Sequence, residues 1–307
     1  MIMLKFILLS LFACTSQLFA HSKIIGLVAV RNESIMIRQC LKALSLYTDA
    51  IIVLDDYSTD NTVEIIQSLA HECRIEKIIT KDSWYRNESG DKYALLNAGR
   101  ALGGTHFIVI DADEMFTANC LDNHCLRNAI LALQPGDQLA LTWIQLWRST
   151  QQYRFDSSIW TNKDAFVIFC DEPQAEYDNR FLHTSRIPRN LSGKQYTIPG
   201  YDYGLLHFQF VNWDNVLIKH AWYRCLERIR APHKSIAEIN SIYGASTDEK
   251  DLKTRLSPSN WFTNYSFFDP VIFEEPEKWR KVQVKEWFAE YGTDAFKELD
   301  IWDINWN

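Results

Sequence analysis

The sequence predicts an α/β fold, with a mostly parallel sheet flanked by helices and a helical, tryptophan-rich region at the C-terminus. Three strand–helix units precede a fourth strand, which is the pattern of a doubly wound α/β half. This fourth strand is apolar from Phe107 to Ile110, as expected for a strand buried on both faces. It ends in Asp111, Asp113 and Glu114, at the edge where open α/β sheets bind ligands.

Up to residue 111, short aliphatic runs alternate with segments of helical spacing. The predicted strands cover residues 24–30, 50–54, 75–79 and 106–111. The predicted helices carry their apolar residues within 33–46, 63–69 and 91–102. Ser58 or Asp60 is expected to cap the second helix. This regular alternation predicts the parallel half of the sheet.

Beyond residue 120 the pattern is less regular. Strands are predicted over 138–147, 165–170 and 204–210, and a helix over 216–229. Residues 171–203 form a polar stretch that is too long for an ordinary connection, and such loops are usually functional. The last part is mostly helical and contains Trp261, Trp279, Trp287, Trp302 and Trp306. We expect it to form a helical cap.

Composition excludes several classes of protein. The chain has 307 residues, enough for one large or two small domains, and its 47% hydrophobic content excludes a disordered chain. A formal net charge of −7 disfavours nucleic-acid binding. No C-x-x-C pair occurs, which disfavours a structural zinc site. Cys120 and Cys125 are close enough in sequence to pair in an oxidising compartment.

Residues 1–20 stand apart from the rest. One lysine, Lys5, precedes an apolar run from Phe6 to Ala13, and Ala20 is a possible cleavage residue, as in a secretory signal peptide. An uncleaved membrane anchor is the alternative, although the run is short for a spanning helix. We therefore expect an exported or membrane-anchored protein, with a cytoplasmic location as the alternative.

Three motifs occur in order: VAVRNES at 28–34, IIVLDDYSTDNT at 51–62 and HFIVIDADE at 106–114. In order, spacing and strand context they resemble the family 2 glycosyltransferases, inverting enzymes with the Rossmann-like GT-A fold. A looser resemblance extends over 204–224. The resemblance implies hexosyltransferase-like transfer from a nucleotide-diphosphate-sugar, with a UDP-sugar favoured, and dependence on Mn²⁺ or Mg²⁺. The implied acceptor is a glycan, a lipid-linked molecule or a protein, with membrane association through residues 1–20.

The resemblance also assigns roles to residues. Asp111 and Asp113 of the DxD motif would hold the metal, with His207 as a further ligand. The residues implied to bind the donor are Val30, Arg31, Asn32, Glu33, Asp55, Asp56, Asp91, Lys92, Asn97, Asp111 and Ala112. Without the resemblance, the DxD motif is equally consistent with an acidic turn, and His207 with a core histidine. Residues 219–224 line a phosphate or acceptor site, or form a solvated helix face.

An inverting transfer needs a carboxylate to deprotonate the acceptor hydroxyl. The family usually supplies it between the DxD motif and the later segment that corresponds to residues 204–224, from a Glu-Asp pair that this chain lacks. Glu172 is the expected base and Asp171 its neighbouring candidate. The other acids of this segment are Glu176, Asp178 and Asp202. His183 lies where related branches often show His-Glu, but Thr184 follows it.

The predicted organisation places a signal peptide or anchor at 1–20, a nucleotide-sugar-binding half at 21–118, an acceptor-side half at 119–231 and a helical extension at 232–307. One alternative is a catalytically inactive GT-A-like protein that binds glycans or nucleotides. A haloacid-dehalogenase-type phosphatase is disfavoured because Met115 stands where that motif needs Thr or Val. A nucleotidyltransferase is disfavoured because the loop after the first strand lacks glycines.

Overall fold

A computed structural model of the chain describes residues 22–158, 160–161, 163–179, 184–274 and 276–306. The predicted signal peptide or anchor at 1–20 and His183 lie outside these residues. Within the described ranges, none of the helices has the length and apolar character needed to cross a membrane.

The alternation of strands and helices predicted for the first half is confirmed. The strands are β1 (Ile24–Val30), β2 (Ala50–Asp55), β3 (Ile75–Thr80), β4 (His106–Asp111), β5 (Glu114–Phe116), β6 (Gln138–Gln145), β7 (Gln152–Arg154), β8 (Asp164–Cys170), β9 (Gln195–Ile198), β10 (Gly204–His207) and β11 (Thr254–Leu256). The α-helices are α1 (Ile37–Ser45), α2 (Thr62–Ser68), α3 (Glu88–Ala101), α4 (Cys125–Leu131), α5 (Trp213–Arg230), α6 (Ile236–Thr247) and α7 (Trp279–Tyr291).

Nine strands form one sheet in the order β3-β2-β1-β4-β8-β6-β10-β5, with β9 beside β6. Strands β1 to β4 are parallel, and Ala29 of β1 is opposite Leu54 of β2 and Asp111 of β4. The ends of β1, β2 and β4 therefore meet at one edge, which we call the site edge. Strand β8 is antiparallel to β4 and pairs Cys170 with His106. The residues directly after the end of β8 consequently lie at the opposite edge.

The core of the sheet explains why these segments are strands. Leu27, Ile52 and Phe107 are almost fully buried, because each central strand is covered by helices on both faces. Gly99 allows α3 to approach the sheet closely, since a Cβ there would collide with the Phe107 ring. The predicted α/β fold is confirmed.

The chain divides into two compact units. Among the described residues, the first unit contains those of 22–144, 163–207 and 258–269. The second is made of Gln145–Thr161, Phe208–Ser257 and Pro270–Asn307. The predicted functional halves, with boundaries at 118/119 and 231/232, are a different division and stay a prediction.

The second unit is helical and rich in tryptophan, as predicted. Trp222 is buried on α5, and its Nε1 donates to Gln283 Oε1 at 2.7 Å. Trp147 stacks on Phe210 with ring centroids 4.8 Å apart. Large aromatic side chains of this kind contribute much buried apolar area per residue.

A late segment of the chain, 258–269, belongs to the first unit. The buried hydroxyl of Tyr265 donates to the Phe116 carbonyl at 2.9 Å and lies 2.9 Å from the Tyr47 hydroxyl. Gln39 Nε2 of α1 donates to the Asp269 carbonyl at 2.9 Å. The segment therefore covers the region where α1 and β5 meet.

Several element boundaries differ from the prediction. Helix α1 begins at residue 37 rather than 33, because the chain first forms a loop. Helix α3 begins three residues earlier than predicted, since Asn87 Oδ1 caps it by accepting from Gly90 N at 3.1 Å. Strand β10 ends at His207. Cys120 and Cys125, expected to pair under oxidising conditions, are free thiols.

Candidate active site

The acidic cluster, defined as Asp111, Asp113 and Glu114, lies at the site edge where β4 turns into β5. Its three carboxylates have different environments. The Asp111 side chain is 56% exposed, whereas that of Glu114 is fully buried. Glu114 Oε2 accepts a hydrogen bond from Asp111 N at 2.9 Å, so the buried acid fixes the turn that presents the exposed one.

An arginine that the sequence prediction missed is bound inside this cluster. Arg186 Nη1 and Nη2 donate to the two Glu114 oxygens at 2.7 Å each, and Nη2 also donates to Asp111 Oδ2 at 2.7 Å. Burial alone would lower the pKa of Arg186, but the Asp111 and Glu114 carboxylates raise it. Burial raises the pKa of Glu114, and Arg186 opposes that shift. Only the location of Arg186 in the long polar stretch 171–203 pointed to a functional role.

His207 is brought to the same place by the sheet. It is opposite Glu114 in the β10–β5 pairing, and its Nε2 lies 3.5 Å from Asp113 Oδ2. Trp143 stacks on the imidazole with centroids 4.7 Å apart, and its Nε1 donates to Glu114 Oε1 at 2.6 Å. Trp143 therefore orients both His207 and Glu114, a role that its strand position alone did not reveal.

The residues fit a divalent metal in part. Carboxylate and imidazole are suitable ligands for Mn²⁺, and Asp113 and His207 are close enough to share one. Asp111, the third predicted ligand, is paired with Arg186 instead. Among the residues that the structure describes, no three His, Cys, Asp or Glu side chains are grouped as a metal site. A metal here would take its other ligands from the donor phosphates, from water, or from Asp111 once it leaves Arg186.

The first two motif loops bind each other at the site edge. Asn32, in a left-handed conformation that Asn tolerates, accepts from Thr59 N at 2.6 Å and donates its own N–H to Ser58 Oγ at 2.9 Å. Glu33 N donates to Thr62 Oγ1 at 2.9 Å. These bonds join residues 31–34 and 57–62 into one rim, which we call the loop rim.

The base of the loop rim contains the predicted acid at the end of β2. Asp55 is buried next to Val30, and its Oδ2 accepts from Ser58 N at 3.1 Å. Arg31 lies with its guanidinium carbon 4.2 Å from the Trp84 ring centroid. The structure therefore brings together the predicted donor-binding residues of the first two motifs.

Asp56 and Asp91 are joined by a lysine that the sequence prediction did not include. Lys81 Nζ lies 2.8 Å from Asp56 Oδ1 and 2.7 Å from Asp91 Oδ1, and all three side chains are largely buried. Burial alone would lower the pKa of Lys81, but its hydrogen bonds to the two acids raise it overall. Burial raises the pKa of Asp91, and Lys81 opposes this. The position of Lys81 directly after β3, at the same edge, was the available signal.

Lys92 and Asn97 differ in their relation to the site. Lys92 Nζ donates to the carbonyls of Thr184 and Ser185 at 2.7 and 3.1 Å, and burial lowers its pKa. It therefore holds the loop that carries Arg186. Asn97 is exposed six residues beyond Asp91, which is about 9 Å further along α3 and away from the site edge.

The structure does not bring the predicted base, Glu172, or its neighbour Asp171 to the site. Both follow β8 and lie at the opposite edge of the sheet. Asp171 forms a two-bond ion pair with Arg100 at 2.7 and 2.8 Å. The buried Glu172 accepts from Ser192 N and Oγ at 2.6 and 2.7 Å. These contacts hold the loop after β8 and give both acids a structural role.

Of the other acids in that segment, Asp178 contacts the start of α3. Its backbone carbonyl accepts from Ser89 Oγ at 2.7 Å in the first turn of α3. Its charge and that of Asp111 both act to raise the pKa of Lys92 against the effect of burial. Arg189 Nε lies 3.0 Å from Asp178 Oδ2.

Of the two alternatives for residues 219–224, the structure does not show the solvated helix face. Trp222 and Arg224 are buried inside the second unit, at 1% and 7% exposure. Tyr223 stacks on Tyr243 with centroids 5.5 Å apart. Packing of α5 against its neighbouring helices therefore decides the placement of these residues.

Residues 27–125 match the family model described as glycosyl transferase family 2. The matched segment contains the three motifs, and it confirms both the resemblance and the predicted enzyme class, a glycosyltransferase. No curated protein sequence matches the chain significantly.

Solved structures resemble the chain at a distance. TarS 1–349 from S. aureus has 12% sequence identity and a TM-score of 0.41, covering 75% of this chain and 73% of that chain. The same TarS fragment in complex with UDP has 14% identity and a TM-score of 0.41, with coverages of 74% and 71%. The mannosyltransferase PcManGT from Pyrobaculum calidifontis, in complex with GDP-Man and Mn²⁺, has 14% identity and a TM-score of 0.43, with coverages of 80% and 76%.

Proposed function

Since residues 27–125 match the glycosyl transferase family 2, we propose that this protein transfers a sugar from a nucleotide-diphosphate-sugar to an acceptor hydroxyl with inversion, in a metal-dependent reaction. The observation that carries the proposal is the meeting of all three motifs at one edge of the sheet. The loop rim, the acidic cluster and His207 belong to the same unit and reach that edge from different strands. A UDP-sugar is the favoured donor.

The loop rim and Asp55 are suited to the nucleoside end of the donor. Asp55 is a buried carboxylate at the base of the rim, able to accept hydrogen bonds from a ribose or base. The bonds between residues 31–34 and 57–62 fix the rim before the donor arrives, which lowers the ordering cost of binding.

The acidic cluster is suited to the diphosphate end. Asp113 and His207 would hold Mn²⁺ or Mg²⁺, which when bound supplies positive charge to stabilise the leaving diphosphate. Trp143 keeps His207 facing Asp113 through ring stacking, and Glu114 keeps the turn of the cluster fixed. These contacts hold His207 and the turn of the acidic cluster in place before a metal or donor binds.

Asp178 is the carboxylate that we assign to the acceptor side, as the base that takes the hydroxyl proton. Two observations support this assignment. The Asp178 carbonyl accepts a hydrogen bond from Ser89 in the first turn of α3. The charge of Asp178, like that of Asp111, acts to raise the pKa of Lys92. Its side chain is 22% exposed, but its two carboxylate oxygens are buried, so the residue has to move before an acceptor can reach them.

Calorimetry on the full chain tests the proposal. We expect UDP or GDP to bind in the presence of Mn²⁺ and to bind weakly without it, and we expect Asp113→Asn to lose the metal-dependent part. Asp251→Asn, an exposed acid of the second unit, is the control and should bind as wild type. Folded wild-type protein that binds neither nucleotide with Mn²⁺ would overturn the proposal. Where binding is found, the NMR coupling constant of the product's anomeric proton reports inversion or retention.

A further inference from the structure

We propose that Arg186 is a ligand of the donor diphosphate, and that in the donor-free protein one of its N–H groups is bound by Asp111. This inference rests on the proposed function and adds a residue that the three motifs do not contain. It assigns the long loop before β9 a direct part in donor binding.

The guanidinium is anchored on its buried side. Glu114 is fully buried and binds Arg186 through both oxygens, and Trp143 donates to the same carboxylate. A bidentate pair of this kind fixes the plane of the guanidinium as well as its position. Arg186 therefore stays at the site edge when its exposed contact is broken.

The backbone next to Arg186 is anchored as well. Lys92 binds the carbonyls of Thr184 and Ser185, and Thr184 N donates to Glu88 Oε2 at 3.1 Å. Both Lys92 and Glu88 lie at the start of α3, at the site edge. The loop is thus held from α3, independently of the contact between Arg186 and Asp111.

The contact with Asp111 is the one that can be exchanged. It is a single hydrogen bond to a carboxylate that is more than half exposed, whereas the contact with Glu114 has two bonds and is buried. Exposed ion pairs contribute little to stability, so breaking this one has a small cost. If Asp111 turned towards a metal, the Arg186 N–H that it leaves would face the space that the donor phosphates enter.

Charge gives the reason for such an exchange. Three carboxylates against one guanidinium leave the cluster with a negative excess, which repels a diphosphate. A guanidinium has five N–H donors, and the carboxylates use three of them. Its planar fork matches phosphate oxygens, whereas an ammonium acts only as a point charge. Arg186 would therefore share with the metal the stabilisation of the leaving group.

The proposal predicts two changes of opposite sign in Arg186→Gln. The affinity for Mn²⁺ without nucleotide should rise at least threefold, because Asp111 is released and a positive charge is removed. The preference for UDP over UMP, and for GDP over GMP, should fall about tenfold or more, because a charge-assisted bond to the second phosphate is lost. A variant that is merely destabilised would lose both affinities together.

The experiment measures Mn²⁺ binding by electron paramagnetic resonance, and nucleotide binding by calorimetry with Mn²⁺ present. Arg186→Lys keeps the charge and removes the fork, so we expect wild-type Mn²⁺ affinity with a partly reduced preference for diphosphate. Arg255→Gln, an exposed arginine of the second unit, controls for the loss of charge and should change neither quantity. Near-ultraviolet circular dichroism verifies that each variant is folded.

The outcomes separate this proposal from the proposed function. If wild-type protein prefers diphosphates and Arg186→Gln keeps that preference, Arg186 is only a structural partner of Glu114 and the inference is overturned, while the transferase proposal stands. Weaker Mn²⁺ binding in Arg186→Gln would also overturn it. If folded wild-type protein binds none of the four nucleotides, both proposals fail.

Discussion

Replacing Lys81 with methionine tests how the base of the donor site is held together. Lys81 joins Asp56 at the end of β2 to Asp91 in the first turn of α3. Methionine has a similar length and apolar stem but no charge, so it leaves two carboxylates facing each other. We expect a loss of stability at neutral pH.

The size of the loss follows from the geometry. Lys81 Nζ lies 2.8 and 2.7 Å from its two partners, so the bound oxygens are less than about 6 Å apart. At that distance and an effective dielectric constant near 20, their repulsion is about 3 kcal/mol. Removing one partner from a buried ion pair costs about 3–5 kcal/mol in general. We therefore expect the free energy of unfolding to fall by about 3 kcal/mol at pH 7.

The loss should depend on pH with a definite sign. Burial raises the pKa of Asp91 and Lys81 opposes this, so the pKa rises further in Lys81→Met. An acid whose pKa is raised by folding stabilises the folded state at low pH, and this stabilisation is lost as the pH rises through the folded pKa. The variant should therefore recover at least about 1 kcal/mol of its deficit between pH 7 and pH 4.

Urea unfolding followed by tryptophan fluorescence at pH 7 and pH 4 measures both quantities. Lys77→Met is the matched control, because Lys77 lies on β3, the strand directly before Lys81, and has an exposed side chain. Its stability should stay within about 0.5 kcal/mol of wild type. A loss below about 1 kcal/mol, or an equal loss at the two pH values, would refute this explanation of the lysine bridge.

Three further substitutions test the remaining assignments. His207→Gln should weaken Mn²⁺ binding at least about tenfold with little change in metal-free nucleotide binding, and an unchanged Mn²⁺ affinity would remove His207 from the metal site. Asp178→Asn should lower kcat by about 10²–10⁴-fold without changing nucleotide affinity, while the control Glu176→Gln should behave as wild type. Full activity of Asp178→Asn would exclude Asp178 as the base. Glu172→Gln should retain kcat but lose about 1–3 kcal/mol of stability in urea unfolding, because an amide cannot accept both Ser192 hydrogen bonds. A loss of kcat in a stable variant would restore Glu172 as a catalytic candidate.

The parallel half of the fold could be predicted because its signals are local. Residues 107–110 are buried as their composition indicates, and Asp55 and Asp111 fall at the same edge because each ends a parallel strand. The sheet brings His207 Nε2 to 3.5 Å from Asp113 Oδ2, although the short strand β5 that aligns them was not foreseen. Three residues are too few to produce a recognisable alternation.

Contacts between distant segments could not be predicted. Arg186 is 72 residues from Glu114, and neither residue's neighbours in sequence indicate the pairing. The expected base, Glu172, lies away from the site for a similar reason. Glu172 lies in the segment where the family places its base, but β8 is antiparallel to β4, so its end points away from the site edge. Strand direction depends on the whole sheet, which a linear pattern does not contain.

The segment 258–269 also constrains how the chain matures during synthesis. The sheet of the first unit is complete in sequence by residue 207, yet the hydroxyls of Tyr47 and Tyr265 meet only after the later segment has been made. At about 5–20 residues per second, roughly 3–12 s separate the two events on the ribosome. During that interval the region between α1 and β5 is uncovered in the nascent chain. A fragment that stops at residue 207 would be left permanently in that state, so studies of the isolated nucleotide-binding unit need the late segment supplied in trans or joined by a short linker.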